Sequence, residues 1–100
     1  MEREKLNHIR QTLTEACEKH LAKGGRIVSG HFVNEEYCCP IGALVGNVDR
    51  KVFAANDLLG LEHTSNELWE FIYAFDDADK SVKSDLGALG LEFRYKYLGL

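Results

Sequence analysis

The sequence predicts a mainly α protein, a compact bundle of four to five helices. Three observations lead there. Apolar residues recur at spacings of three and four along most of the chain. Helix starts and stops bracket those stretches: Cys39-Pro40, Thr64-Ser65-Asn66-Glu67, Lys23-Gly24-Gly25 and Gly60. Only residues 25–38 carry β character, and that stretch is short. At 100 residues, 45% hydrophobic and 28% charged, the expectation is a single helical domain over residues 1–100 with one core.

Residues 2–22 read as an amphipathic helix. Leu6, Ile9, Leu13, Ala16, Cys17, His20 and Leu21 share one face, and Arg3, Glu4, Lys5, Arg10, Gln11, Glu15, Glu18 and Lys19 the other. Glu15 and Lys19 sit four apart in the favourable order. Lys23 followed by two glycines ends the helix. Between residues 25 and 38, Asn34-Glu35-Glu36 resembles a turn. The reading there is a loop with a short β-hairpin pairing the region of Ile27 with that of Tyr37, between the first helix and the Pro40 helix.

Cys38-Cys39-Pro40-Ile41-Gly42-Ala43-Leu44 is the stretch the rest is organised around. Proline lacks an N–H and fixes φ, so it belongs at a first helical position, with Cys39 before it as N-cap. Ile41, Ala43, Leu44 and Val45 make the helix almost wholly apolar, and Gly46-Asn47 ends it. A helix this short is stable only when buried, so it is expected inside the core.

Asp49 is placed to cap a helix over residues 50–59. Val52, Phe53, Ala55, Leu58 and Leu59 give it a wide apolar face, which Asn56 and Asp57 interrupt; buried polar groups there need partners. Thr64-Ser65-Asn66-Glu67 matches a capping box and starts a helix over about residues 65–78. Leu68, Trp69, Phe71, Ile72 and Phe75 are its expected contribution to the core. Carboxylates Asp76, Asp77 and Asp79 oppose the dipole at its end. Residues 80–98 read as one helix with a stripe of Val82, Leu86, Leu89, Phe93 and Tyr97; the runner-up is two helices broken at Gly90. Gly87 and Gly90, three apart, imply close approach of another backbone.

A formal net charge of −4 argues against a nucleic-acid protein. Arg94-Tyr95-Lys96-Tyr97 is a basic-aromatic patch, but too short to reverse that; its cations fit the C-terminal end of a helix better. No apolar run approaches the ~18 residues of a membrane span. The charged start, Met1-Glu2-Arg3-Glu4-Lys5, has no signal-like segment after it, so a cytoplasmic location with reduced thiols is expected.

The chemistry-bearing residues support two readings. In one, Cys38 and Cys39 are small hydrophobes in the core, where thiols are inert. In the other, the helix N-terminus lowers the Cys39 pKa. Cys39 is then a nucleophile with His31 or His63 as base and Asp76 as the orienting group, or a redox thiol acting with Cys38 or His31. A metal set would draw on Cys17, His20, Cys38 and Cys39, with His31 near, although no CxxC pair is present. The first reading is preferred: no catalytic set, no metal and no cofactor. The function expected is a protein-binding or regulatory module, with a thiol-dependent redox or metal-binding protein as the alternative. The expected contact regions are the loop 25–37 and the corner 76–79. Tyr95, Tyr97, Leu98 and Leu100 suit a homodimer through the C-terminal helix.

Three elements, taken together, carry a resemblance. Cys39-Pro40-Ile41-Gly42-Ala43-Leu44, then Trp69-Glu70-Phe71-Ile72 with Phe75-Asp76, then Leu89-Gly90 with Phe93-Arg94 and Tyr97, follow one another in this order. The chain resembles small uncharacterised bacterial and phage proteins with CPxGAL, WxF…FD and LGxxFR elements. The resemblance spans about residues 25–98. Members often have glycine before the FD pair, where this chain has Ala74. It implies a shared pattern and no particular activity.

Overall fold

Ile9, Leu13 and Cys17 stand four apart and are buried together on one face of α1, Arg3–Ala22. The computed structural model describes residues 1–29, 37–46, 48, 50–63, 66–78 and 84–100. After α1, β1 (Arg26–Ile27) pairs with β2 (Tyr37–Cys38), as expected for these two regions. The pair is parallel, Arg26 opposite Tyr37 and Ile27 opposite Cys38, so the two strands are not the arms of a hairpin. The burial pattern could not give that sense. Ile27 and Cys38 face inward and Arg26 and Tyr37 outward whichever way the second strand runs.

The helix α2, Pro40–Val45, starts at its proline, with Cys39 as extended N-cap. Pro40, Ile41 and Gly42 are buried, and Ala43, Leu44 and Val45 pack partly buried against the core. Gly46 ends it at φ 72°, a conformation that costs a residue without Cβ nothing.

The next helix, α3, is Lys51–Leu59. Asp49 lies outside the described residues; the position before the helix belongs to Arg50, at φ 51°, whose side chain makes no cap hydrogen bond. The apolar face is narrower than expected. Ala55, Asn56 and Leu59 are buried, whereas Phe53 and Leu58 lie on the solvent side. Positions 52, 55, 56 and 59 share a helix stripe; 53 and 58 flank it.

The fourth helix, α4, is Glu67–Asp77. Thr64 and Ser65 of the expected capping box lie outside the described residues, and Asn66 makes no side-chain cap. Leu68, Phe71, Ile72, Ala74 and Phe75 are buried, but Trp69 is 40% exposed, contrary to its expected place in the core. Ala78 ends the helix at φ 54°. A Cβ disfavours that conformation by about 1–2 kcal/mol. Ala78→Gly should therefore raise stability by about 0.5–1 kcal/mol and the melting temperature by a few degrees, read by thermal denaturation.

The last helix, α5, is Asp85–Leu98 and runs unbroken through Gly87 and Gly90. It starts later than residue 80: the Ser84 Oγ accepts the Gly87 N–H at 3.0 Å and sets the first turn, while residues 79–83, Val82 among them, lie outside the described residues. α4 and α5 make the most extensive helix contact, α1 packs on α2, and α3 joins α2 to α4. Phe71, Phe75 and Phe93 lie at the centre, with Phe71 and Phe93 edge-to-face at 5.6 Å. Arg10 of α1 holds Glu92 of α5 through two guanidinium nitrogens. Among the described residues, no helix is long and apolar enough to cross a membrane.

Candidate functional site

Two regions bring chemistry-bearing residues together, and they lie on different parts of the bundle. The first is the N-terminus of α2. There the Cys39 Sγ accepts the Gly42 N–H at 3.4 Å. Burial pushes the Cys39 thiol up to about 11, against the pull of the Gly42 and Ile41 N–H groups and with the charge of Asp76 adding to the rise. Desolvation thus outweighs the helix terminus. Burial also raises Cys38. It pushes Cys17 up to about 12, with Cys38 and Cys39 contributing next. The three thiols are buried and unpaired by disulfides.

Among the described residues, the others named in the thiol and metal readings do not complete either set. Asp76 stands near enough to oppose a Cys39 thiolate by its charge. His31 lies outside the described residues. His63 is engaged with Asp57, Nε2 to Oδ1 2.5 Å. The His20 imidazole packs over Gly25, its Nε2 3.2 Å from the Arg26 carbonyl oxygen. Among the described residues no three His, Cys, Asp or Glu side chains are arranged to hold a metal, so Cys17, His20, Cys38 and Cys39 do not converge as ligands.

A stability consequence follows from the thiols. Their folded pKa values lie above the unfolded value of about 8.5. Their contribution is then complete below that pH and is lost as pH rises towards 11 for Cys39 and 12 for Cys17. Urea unfolding from pH 8 to pH 11 should show stability falling above pH ~8.5, less steeply in Cys17→Ala and Cys39→Ala. Alkylation of the folded protein should be slow at pH 8. A thiol titrating well below ~8.5 would contradict this.

The end of α4 explains how the second and third sequence elements fit. The Arg94 guanidinium of α5 donates from Nη1 to the Phe75 and Asp76 carbonyl oxygens, at 2.5 and 3.0 Å. A cation therefore sits on the carbonyls that the acidic run seemed to leave uncompensated. Gly90, one turn earlier on α5, lies against the Phe71 carbonyl. Phe71, Phe75 and Asp76 with Gly90, Phe93 and Arg94 are thus a packing and capping joint. Lys96 lies over the Tyr97 ring at 5.2 Å, and Tyr97 donates to Glu18 at 3.0 Å.

The second region is a cleft of about 680 Å³ between α3 and α4, lined by Val48, Arg50, Lys51, Val52, Phe53, Asn56, His63 and Trp69. Its walls are aromatic. Phe53 is 47% exposed and lies against the His63 ring, centroids 3.6 Å apart. Trp69, 40% exposed, stacks with Tyr73 at 6.0 Å on the adjoining surface. Its floor is polar: Asn56 is 3% exposed and its Oδ1 has no hydrogen-bond partner among the described residues. An unpaired buried acceptor costs about 1–3 kcal/mol, so it wants a donor. Lys51 is committed to the Gly46 and Val48 carbonyl oxygens, at 3.0 and 3.1 Å. Arg50 lines the cleft from its left-handed position.

The contact regions expected from the sequence are the loop 25–37, of which 30–36 lie outside the described residues, and the corner 76–79, of which 79 does; Trp69, expected in the core, is instead half-exposed. Two signals point here. Leu68, Phe71, Ile72 and Phe75 complete a stripe at three and four, which leaves Trp69 and Tyr73, four apart, on its flank. The interruption of the α3 face by Asn56 was the other. No protein-family model matches the chain, and no curated protein and no solved structure matches it.

Proposed function

We propose that the chain is a protein-binding module whose contact face is the aromatic cleft between α3 and α4. The observation that carries this reading is the exposure of Phe53 and Trp69, which line one cleft with Val48 and Val52. Exposed aromatic side chains that a partner can desolvate are what interface hot spots are made of. A regulatory role through that face, rather than chemistry of its own, accords with thiols that burial keeps protonated. The same free, buried cysteines suit a reducing cytoplasm. Tyr95 and Leu100, exposed at the other end of α5, support a second contact there with another copy of the chain. The thiol-dependent alternative at Cys39 has the less support.

Affinity capture from extracts of the source cells tests the reading with three baits. Partners held by the wild type should be lost with Phe53→Ser and with Trp69→Ser, each substitution costing roughly 2 kcal/mol or more of binding. Both residues are exposed, so both variants should melt close to the wild type. Partners held equally by all three baits would overturn the assignment of this face.

A further inference from the structure

We infer that the outward side of α4 around Trp69, Glu70 and Tyr73 takes an arginine side chain from a basic segment of the partner protein. This rests on the protein-binding reading, with which it shares Trp69, and adds the partner's chemistry to it. Asn66, Trp69, Glu70 and Tyr73 stand at helical spacings of three and four and line one surface hollow of about 540 Å³. Trp69 and Tyr73 are half-exposed, and their rings lie 6.0 Å apart with 29° between their planes. Two rings so close to parallel form a wall and not a cage. A flat group laid along a wall gains more contact than a rounded ammonium does.

Charge decides which flat group. Glu70 lies half-buried in the hollow and makes no hydrogen bond or ion pair among the described residues. Carboxylates elsewhere are engaged: Glu92 by Arg10, Glu18 by Tyr97 and Asp57 by His63. Among the described residues lining the hollow, Glu70 alone is charged. Arg50 and Lys51 line the neighbouring cleft, and Lys51 is held there by two carbonyls. The cation over a ring among the described residues is Lys96, on Tyr97, so Trp69 and Tyr73 keep their faces for a cation from outside. A guanidinium supplies both missing partners in one plane: positive charge for the rings and paired N–H donors for the carboxylate. A formal net charge of −4 also favours the approach of a basic segment over an acidic one.

The test is a titration of the ¹⁵N-labelled full chain with three peptides. They are acetyl-Gly-Arg-Gly-Arg-Gly-amide and its lysine and citrulline counterparts. Citrulline keeps the flat shape of arginine and lacks its charge. The Trp69 indole N–H and the Glu70 backbone amide should shift saturably with the arginine peptide. It should bind about 5-fold tighter than the citrulline peptide and about 3-fold tighter than the lysine one. Glu70→Gln keeps the shape and removes the charge, so it should narrow the arginine–citrulline gap to about 2-fold while melting like the wild type. Trp69→Ser should abolish the saturable shift at Glu70. Citrulline binding as well as arginine would overturn the cation, and lysine binding as well as arginine would overturn the guanidinium. A gap unchanged in Glu70→Gln would overturn the carboxylate's part, and no saturable shift at millimolar peptide would overturn the whole. Shifts at the same resonances on raising protein concentration without peptide would make a second copy the occupant, and would also overturn it. If the peptides fail but captured partners still depend on Trp69, the protein-binding reading stands and only this occupant is wrong. If capture is indifferent to Trp69 as well, both fall.

Discussion

Replacing Gly90 with alanine should destabilise the protein by about 2 kcal/mol, although the same change at an open helix position stabilises by about 1 kcal/mol. The sign is the point. Gly90 lies in the interior of α5, where backbone entropy favours alanine. A Cβ there would collide with the Phe71 carbonyl oxygen and lie 2.9 Å from the Ala74 Cβ. The first of these is backbone of α4 and cannot turn aside as a side-chain tip can. Relief requires the two helices to separate along their most extensive contact. Separation would also loosen the Arg94 bonds to the Phe75 and Asp76 carbonyls, a turn further along. Thermal denaturation should show a fall in melting temperature of roughly 8–16 °C, at about 4–8 °C per kcal/mol for a domain of this size. A neutral or raised melting temperature would mean that α4 and α5 do not approach this closely.

The larger loss is expected from Phe93→Ala, about 3–5 kcal/mol. Phe93 is 1% exposed and touches Phe71 edge-to-face and Tyr97 at a ring separation of 5.7 Å. Truncation removes the transfer free energy of the ring and leaves a cavity among residues held by two helices. Domains of this kind have about 5–15 kcal/mol in all, so the variant should be partly unfolded at 37 °C or close to it. Urea unfolding measures it, through a drop in midpoint at constant slope. Phe93→Leu should recover most of the loss, since it keeps much of the volume. A cost below about 1 kcal/mol for the alanine variant would contradict the placement of Phe93 at the centre.

These two residues also show what could be read in advance. Phe93 falls on a stripe with Leu86, Leu89 and Tyr97, so its burial follows from helical spacing. Gly90 was expected to admit another backbone, and the structure supplies the Phe71 carbonyl. Trp69 went the other way. Size and hydrophobicity argued for the core, but its position beside Leu68 puts it on the flank of the stripe, and angular position prevailed. Phe53 and Leu58 flank the α3 stripe in the same manner and are exposed for the same reason. The candidate site was harder to see because its members come from separate stretches. Arg50 and Phe53 meet His63 and Trp69 only once α3 and α4 are packed.

By itself, the sequence determined the helical class, the start of α2 at Pro40 with Cys39 before it, and the stripes that bury Ile9, Leu13, Phe71 and Phe93. These are local consequences of proline geometry and of a 3.6-residue period, which act within one turn or two. Only the tertiary structure decided the parallel sense of the short strand pair, the capping of α4 by Arg94 from α5, and the cleft over Asn56. It also settled which influence wins at Cys39, where burial among neighbouring elements overrides the helix terminus that the local sequence advertises. Desolvation and cross-helix hydrogen bonds depend on which surfaces meet, and no single stretch of the chain carries that information.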